Sequence, residues 1–251
     1  MPLYLVLSLL FVTGFTAGFI DAIAGGGGLI TVPVLLGIGL PPQVALGTNK
    51  LQASFGSGSA MLHFARARTV DLASCRSGVV STAIGAGLGV LAVQLLDPDL
   101  LRQMIPWLLI VIALYTLASP KLGHADVHPR FRPAPFYLVF GLSLGFYDGF
   151  FGPGTGSFWV MALMLGLGYS MTRATGYTKV MNFTSNIVAL VLFMVAGQVL
   201  YREGLVMGAG QFLGARCGAR LVISRGTALI RPLFILMVLA VTTRLLYQAY
   251  H

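Results

Sequence analysis

The chain repeats itself. GFIDAIAGGGG at Gly18–Gly28 returns as GFYDGFFGPGTG at Gly145–Gly156. Gly18 pairs with Gly145 and Asp21 with Asp148 at a spacing of 127 residues. After a two-residue insertion the spacing becomes 129. It then holds for Gly37 with Gly166, Gly39 with Gly168, Gly47 with Gly176 and Lys50 with Lys179, and further on for Gly85 with Gly214, Gly89 with Gly218 and Arg102 with Arg231. Two homologous halves must each fold as a version of one unit. The polar, Pro-containing stretch SPKLGHADVHPRFRP divides them. Repeat one is therefore expected over 1–118, a linker over 119–134 and repeat two over 135–251.

Composition fixes the solvent. Hydrophobic residues make up 57% of the chain and charged residues 9%, where ordinary globular proteins carry about 25% charged residues. So little charge cannot cover a soluble domain, and the fold class expected is an all-α polytopic membrane protein. Each half divides into five apolar segments, roughly 3–24, 29–40, 44–65, 74–96 and 101–118, then 135–151, 156–168, 172–199, 204–223 and 229–248. Crossing a ~30 Å hydrocarbon core takes about 20 helical residues. Leu29–Leu40 reaches only about 18 Å at ~1.5 Å per residue. It follows four glycines, as a half-helix beginning inside the membrane would, so the first two segments form a re-entrant hairpin or a full hairpin with a broken tip. Ala22-Ile23-Ala24 fits a signal-peptide cleavage pattern, but no basic region precedes it and the pattern recurs mid-chain, so it is read as structure. Cys75 and Cys217 occupy non-equivalent places and read as small apolar fillers.

Lysine and arginine set the orientation. In the first half the loop after segment three (Arg66, Arg68, Arg76) is basic, the next (Asp97, Asp99, Arg102) is net acidic, and the linker is basic again. In the second half the order shifts: Arg173 follows segment two, Arg202 and Glu203 cancel, and Arg225 and Arg231 flank the fourth loop. With basic loops in the cytoplasm, the halves are expected to be inverted, the linker cytoplasmic and both termini outside. Arg102 and Arg231 would then lie on opposite sides.

Inverted repeats with broken helices are a secondary-transporter architecture, with substrate near the midplane where the repeats meet. The candidate breaks are Gly25, Gly26, Gly27 and Gly28 in one half and Gly152 and Gly154 in the other. Free N–H groups and the dipole at the start of each following half-helix favour an anion. Thr155, Ser157 and Thr31 add hydroxyls. Glycines that only let helices pack closely would look the same. Neither run has the spacing of a nucleotide loop. Lys50 and Lys179 lie several residues into matched segments, where a charge costs ~2.5–3.5 kcal/mol to insert and usually faces a cavity or partner. They read as two ammonium groups clasping one anion, with Asn49, Thr48, Thr178 and Asn182 beside them; the alternative is snorkelling to the interface. On the clasp reading, Lys50→Gln and Lys179→Gln weaken binding and leave folding intact. Asp21 and Asp148 neutralise the lysines, carry a coupling proton or cap the broken backbone, and capping is favoured. His63 has no counterpart in the second half and reads as a near-interface residue. His124 and His128 lie in the linker, without the partners a metal site needs.

The block GFIDAIAGGGGLITVPVLL followed by GTNK, its second copy and the two-repeat length resemble the sulfite exporter TauE/SafE family of membrane permeases. The likeness runs over nearly the whole chain. The second copy departs from it, with Tyr177-Thr178 in place of Thr-Asn and Pro153 in the glycine run. The resemblance implies movement of sulfite, sulfonates or related small sulfur anions across a bacterial-type inner membrane, and fixes neither substrate nor direction.

The expected function is thus a secondary transporter of a small anion working by alternating access, in a lipid bilayer. No cofactor, metal or nucleic-acid partner is implied, and a homo-oligomer stays open. A passive anion channel shares every feature above. An intramembrane enzyme needs a nucleophile or base with partners, and Ser57 and Ser59 read more simply as packing residues.

Overall fold

A computed structural model describes residues 2–118 and 129–225. Most of the linker and the expected tenth segment, with Lys121, His124, His128 and Arg231, lie outside the described residues. Every regular element among those described is helical: α1 Leu3–Ala24, α2 Gly28–Gly37, α3 Pro42–Arg66, α4 Arg76–Gln94, α5 Pro98–Ala118, α6 Pro133–Phe150, α7 Thr155–Leu167, α8 Met171–Val195 and α9 Tyr201–Arg225, with a 3-10 turn at Ala73–Cys75 before α4. Prolines open α3, α5 and α6, where the missing N–H costs nothing and the fixed φ suits a first turn. Leu3–Ile23, Ala73–Gln94 and Met171–Val195 are long and apolar enough to cross a membrane. Large apolar side chains face outward along the bundle, among them Val12, Leu88, Trp107 and Val191. This is an all-α polytopic membrane protein.

The short second segments turn back. α2 has 10 residues and α7 has 13, about 15 and 20 Å at ~1.5 Å per residue, too little to span. Leu35, near the end of α2, clusters with Leu10 of α1 and Ala45 of α3. Gly166, near the end of α7, packs on Phe136 at the start of α6. Each pair of helices is therefore a hairpin whose tip is the glycine break.

Glycine also sets the helix pairing. In α1 and α9, Gly14 and Gly18 lie on the Met207 and Gln211 carbonyls, while Gly210, Gly214 and Gly218 lie on those of Phe11, Phe15 and Phe19. In α4 and α6, Gly85 and Gly89 lie on the Leu142 and Phe146 carbonyls, while Gly145 and Gly149 lie on those of Thr82 and Ala86. A Cβ at any of these positions would occupy the space of the facing backbone, so the four-residue spacing of small residues draws the helices together. Both pairs run parallel, and each joins a first-segment helix of one half to a fourth-segment helix of the other. Between them α3 and α8 run antiparallel: Gly47 meets Phe193, Gly58 meets Phe183 and Gly176 meets Phe64. The two hairpin tips touch beside this central pair, Gly25 against Gly156 and Gly28 against Pro153.

Candidate functional site

The site starts from the matched charges. Lys50 of α3 pairs with Asp148 of α6, Nζ to Oδ1 2.8 Å, and Lys179 of α8 pairs with Asp21 of α1, Nζ to Oδ2 2.9 Å. Each ammonium also donates to the backbone carbonyl of its aspartate. Every pair thus joins the third helix of one half to the hairpin of the other. The lysine side chains are 1% and 0% exposed. Both amines turn inward to carboxylates, so these lysines do not snorkel. Nor do they stand as free ammonium groups around an anion, because each is already neutralised.

A buried ion pair survives only if its remaining polar valences are met. Asp148 meets them with side chains: Ser185 Oγ donates to Oδ2 and Thr155 Oγ1 donates to Oδ1 at 3.3 Å. Asn186 Oδ1 adds a long contact to Lys50 Nζ, 3.4 Å. Asp21 meets them with backbone: its Oδ1 accepts the N–H groups of Gly26 and Gly27 at 3.2 and 3.3 Å. Asp21 therefore caps its break and neutralises a lysine at once. The φ values of Gly26 and Gly152, +122° and +97°, are reached without strain only by glycine.

Between the tips, α3, α8 and α9 lies a cavity of about 30 Å³, room for a water or two. Its lining includes Gly26, Gly28, Asn49, Lys50, Asp148, Gly152, Gly154, Thr155, Asn182, Asn186 and Gln211. The N–H groups of Gly28, Gly154 and Gly156 carry no hydrogen bond among the described residues. Asn49 Oδ1 is taken by Thr31 Oγ1 at 2.5 Å and Gln52 Nε2 at 2.7 Å, which leaves its N–H groups over. Asn182 and Gln211 are 6% and 2% exposed, and their side-chain carbonyls have no partner. The cavity thus offers neutral N–H donors beside the Lys50–Asp148 pair and the Asp21 carboxylate, whose partner Lys179 lies outside the lining.

Several expected site residues serve elsewhere. Gly25 packs on Gly156 and its carbonyl accepts Ser157 Oγ at 3.1 Å. Gly27 spends its N–H on Asp21, and Thr48 Oγ1 accepts the Leu200 N–H at 3.0 Å. Lys179 is absent from the lining, and Thr178 Oγ1 is buried without a partner. His63 sits in the last turn of α3, away from the cavity. Among the described residues no three His, Cys, Asp or Glu side chains cluster as metal ligands would. Sequence reading missed Asn186, Ser185 and Gln211. Asn186 was legible, since Lys179, Asn182 and Asn186 stand at i, i+3 and i+7 on one helix face. Gln211 was legible as the polar residue inside the glycine stripe of α9. Ser185 had no such signal.

Residues 10–245 match the family model described as Sulfite exporter TauE/SafE. A "Probable membrane transporter protein" of Haemophilus influenzae is 48% identical, over 97% of this chain and 95% of its own length. Two others of that description, YfcA of Escherichia coli K12 and ORF9 of a Sinorhizobium species, are each 46% identical over 98% of this chain and cover 91% and 94% of their own lengths. No solved structure matches the chain.

Proposed function

The chain belongs to the sulfite exporter TauE/SafE family of membrane transporters, and from that premise we propose that it is a secondary transporter carrying a small sulfur oxyanion or organosulfonate across the inner membrane by alternating access. One observation carries this reading: two sequence-matched helix breaks meet at one cavity, both with free N–H groups, between ion pairs that tie each break to the other half. Oriented N–H dipoles bind an oxyanion without adding net charge.

The two repeats, 1–118 and 135–251, are taken as inverted, a reading supported by the antiparallel course of α3 and α8. The linker then faces the cytoplasm and both termini the other side. Substrate sits on Gly28, Gly154, Asn49, Asn182 and Gln211. Asp21 and Asp148 are the candidate proton carriers, because a proton on either would release its lysine and loosen a break. The lysines position the aspartates and do not clasp the anion. The cavity holds only water-sized volume, so the hairpin tips must part to admit an oxyanion. Rocking of one repeat against the other supplies that opening.

The test is tracer uptake in proteoliposomes, with sulfite, thiosulfate, sulfate, taurine and sulfoacetate offered singly, with and without a pH gradient. Saturable uptake of a sulfur anion, driven above equilibrium by the gradient, is expected. Silence across the panel from folded protein would overturn the substrate class, and strictly downhill flux under every gradient would overturn the coupled carrier in favour of a channel.

A further inference from the structure

We infer that the seam between α3 and α9 binds the phosphate of an anionic membrane phospholipid through Arg66, Arg216 and Arg220. None of the three lines the cavity between the breaks, so this site holds whether or not that cavity carries a sulfur anion.

The two helices run side by side in one direction: Leu51 meets Gly204, Phe55 meets Gly208, and Ser59 Oγ donates to the Phe212 carbonyl at 3.1 Å. One turn further along, that register brings His63 level with Arg216, and two turns along it brings Arg66 to Arg220. The charges of all three arginines act on the His63 imidazole. All three are exposed, amid the exposed apolar side chains of Leu62, Leu213 and Ile223. Among the described residues none of them forms an ion pair. Arg216 and Arg220, one turn apart on α9, repel each other and weaken their own helix. Positive charge gathered on an apolar face without a carboxylate is complementary to an anion that brings apolar tails.

Helix length sets the depth of these charges. Between Glu203 and Arg216, α9 carries 12 uncharged residues, 204–215, about 18 Å at ~1.5 Å per residue, against a ~30 Å hydrocarbon core. With the exposed Arg202–Glu203 pair at one interface, the backbone of Arg216 lies inside the hydrocarbon and its guanidinium must reach outward. It arrives at the level of lipid phosphates, whose oxygens its planar fork matches with two parallel N–H bonds. The repeated frame does not need these charges. At the spacing of 129 residues, His63, Arg66, Arg216 and Arg220 correspond to Leu192, Val195, Gly87 and Leu91. That counterpart seam also packs, with Leu192 3.9 Å from where a Gly87 Cβ would lie. Its Val195 and Leu91 are 83% and 53% exposed, so it presents only apolar surface where the α3–α9 seam presents three cations.

The experiment is native mass spectrometry of the detergent-purified protein titrated with phosphatidylglycerol, phosphatidylcholine or glycerol 1-phosphate. Wild type should retain phosphatidylglycerol about tenfold more tightly than phosphatidylcholine, whose own quaternary ammonium already neutralises its phosphate. It should not retain glycerol 1-phosphate, which lacks the tails that meet Leu62, Leu213 and Ile223. Arg216→Gln and Arg220→Gln should each weaken phosphatidylglycerol about fivefold, the worth of one basic residue near anionic lipid, and their exposed side chains leave no hole in the fold. Arg202→Gln, at the other end of α9, should leave retention unchanged. Equal retention of the two lipids by wild type, or a preference that survives the double variant, would overturn the inference. The arginines would then only orient the chain during insertion, a role that gives purified protein no lipid preference. Glycerol 1-phosphate held as tightly as phosphatidylglycerol would overturn the lipid in favour of a soluble phosphate. No sulfur anion enters the assay, so each result leaves the transport reading standing.

Discussion

The two buried ion pairs occupy matched positions and are built differently. Lys50–Asp148 is held by hydroxyls from Ser185 and Thr155 and lines the cavity. Lys179–Asp21 is held by backbone N–H groups of its own break, and the lysine stays out of the lining. The same divergence runs along the central helices. Asn182, Ser185 and Asn186 of α8 stand where α3 has Ala53, Gly56 and Ser57, and Asn49 of α3 stands where α8 has Thr178. The features that repeat are glycine stripes, breaks and cross-half ion pairs, which govern how helices pack. The features that do not repeat are neutral polar side chains, most of which line the cavity. A symmetric frame and an asymmetric lining suit the proposed alternating-access mechanism, which needs two equivalent conformations but one substrate geometry.

Breaking the pairs one at a time gives the largest effect. Lys50→Met strands Asp148, which is 4% exposed, and should cost about 3–5 kcal/mol. Lys179→Met should cost less, because the Asp21 side chain is 15% exposed and keeps two N–H bonds. Thermal unfolding in detergent measures both, and Lys50→Met with Asp148→Asn should recover part of the loss. Equal destabilisation by the two lysine variants would erase the distinction. The frame should respond symmetrically: Gly85→Ala and Gly214→Ala, each forcing a Cβ into a facing carbonyl, should destabilise by similar amounts, about 1–3 kcal/mol. Ser185→Ala removes one hydrogen bond to Asp148 and should cost about 1.5–3 kcal/mol, whereas Gly56, its counterpart, offers no such bond. Smallest on stability and confined to binding, Asn182→Ala should weaken substrate affinity about tenfold, a lost hydrogen bond to a charged group.

Much of this was legible in the residues. The apolar, charge-poor composition showed an all-α membrane protein, helix lengths followed from apolar runs, and α2 emerged as short because twelve residues cannot cross a bilayer. Lys50, Lys179, Asp21 and Asp148 stood out because charge inside an apolar segment needs a reason. Their pairing across the halves did not. Which lysine meets which aspartate depends on α1 packing with α9 and α4 with α6, and the stripes of Gly14, Gly85, Gly141 and Gly214 announce close packing without naming the partner. The lysines were expected to grip the anion directly with folding indifferent to their loss. Their position is compatible with that, and only the tertiary arrangement turns them toward carboxylates.

The most direct test of a substrate cavity between the breaks is counterflow. Proteoliposomes loaded with unlabelled sulfite are diluted into tracer sulfite, and internal tracer is followed in time for wild type and Asn182→Ala. Wild type should show a transient overshoot above equilibrium, the mark of a carrier whose site faces each side in turn, and Asn182→Ala should lose most of it at the same tracer concentration. Monotonic equilibration without overshoot in wild type, or an overshoot that Asn182→Ala leaves untouched, would contradict the account.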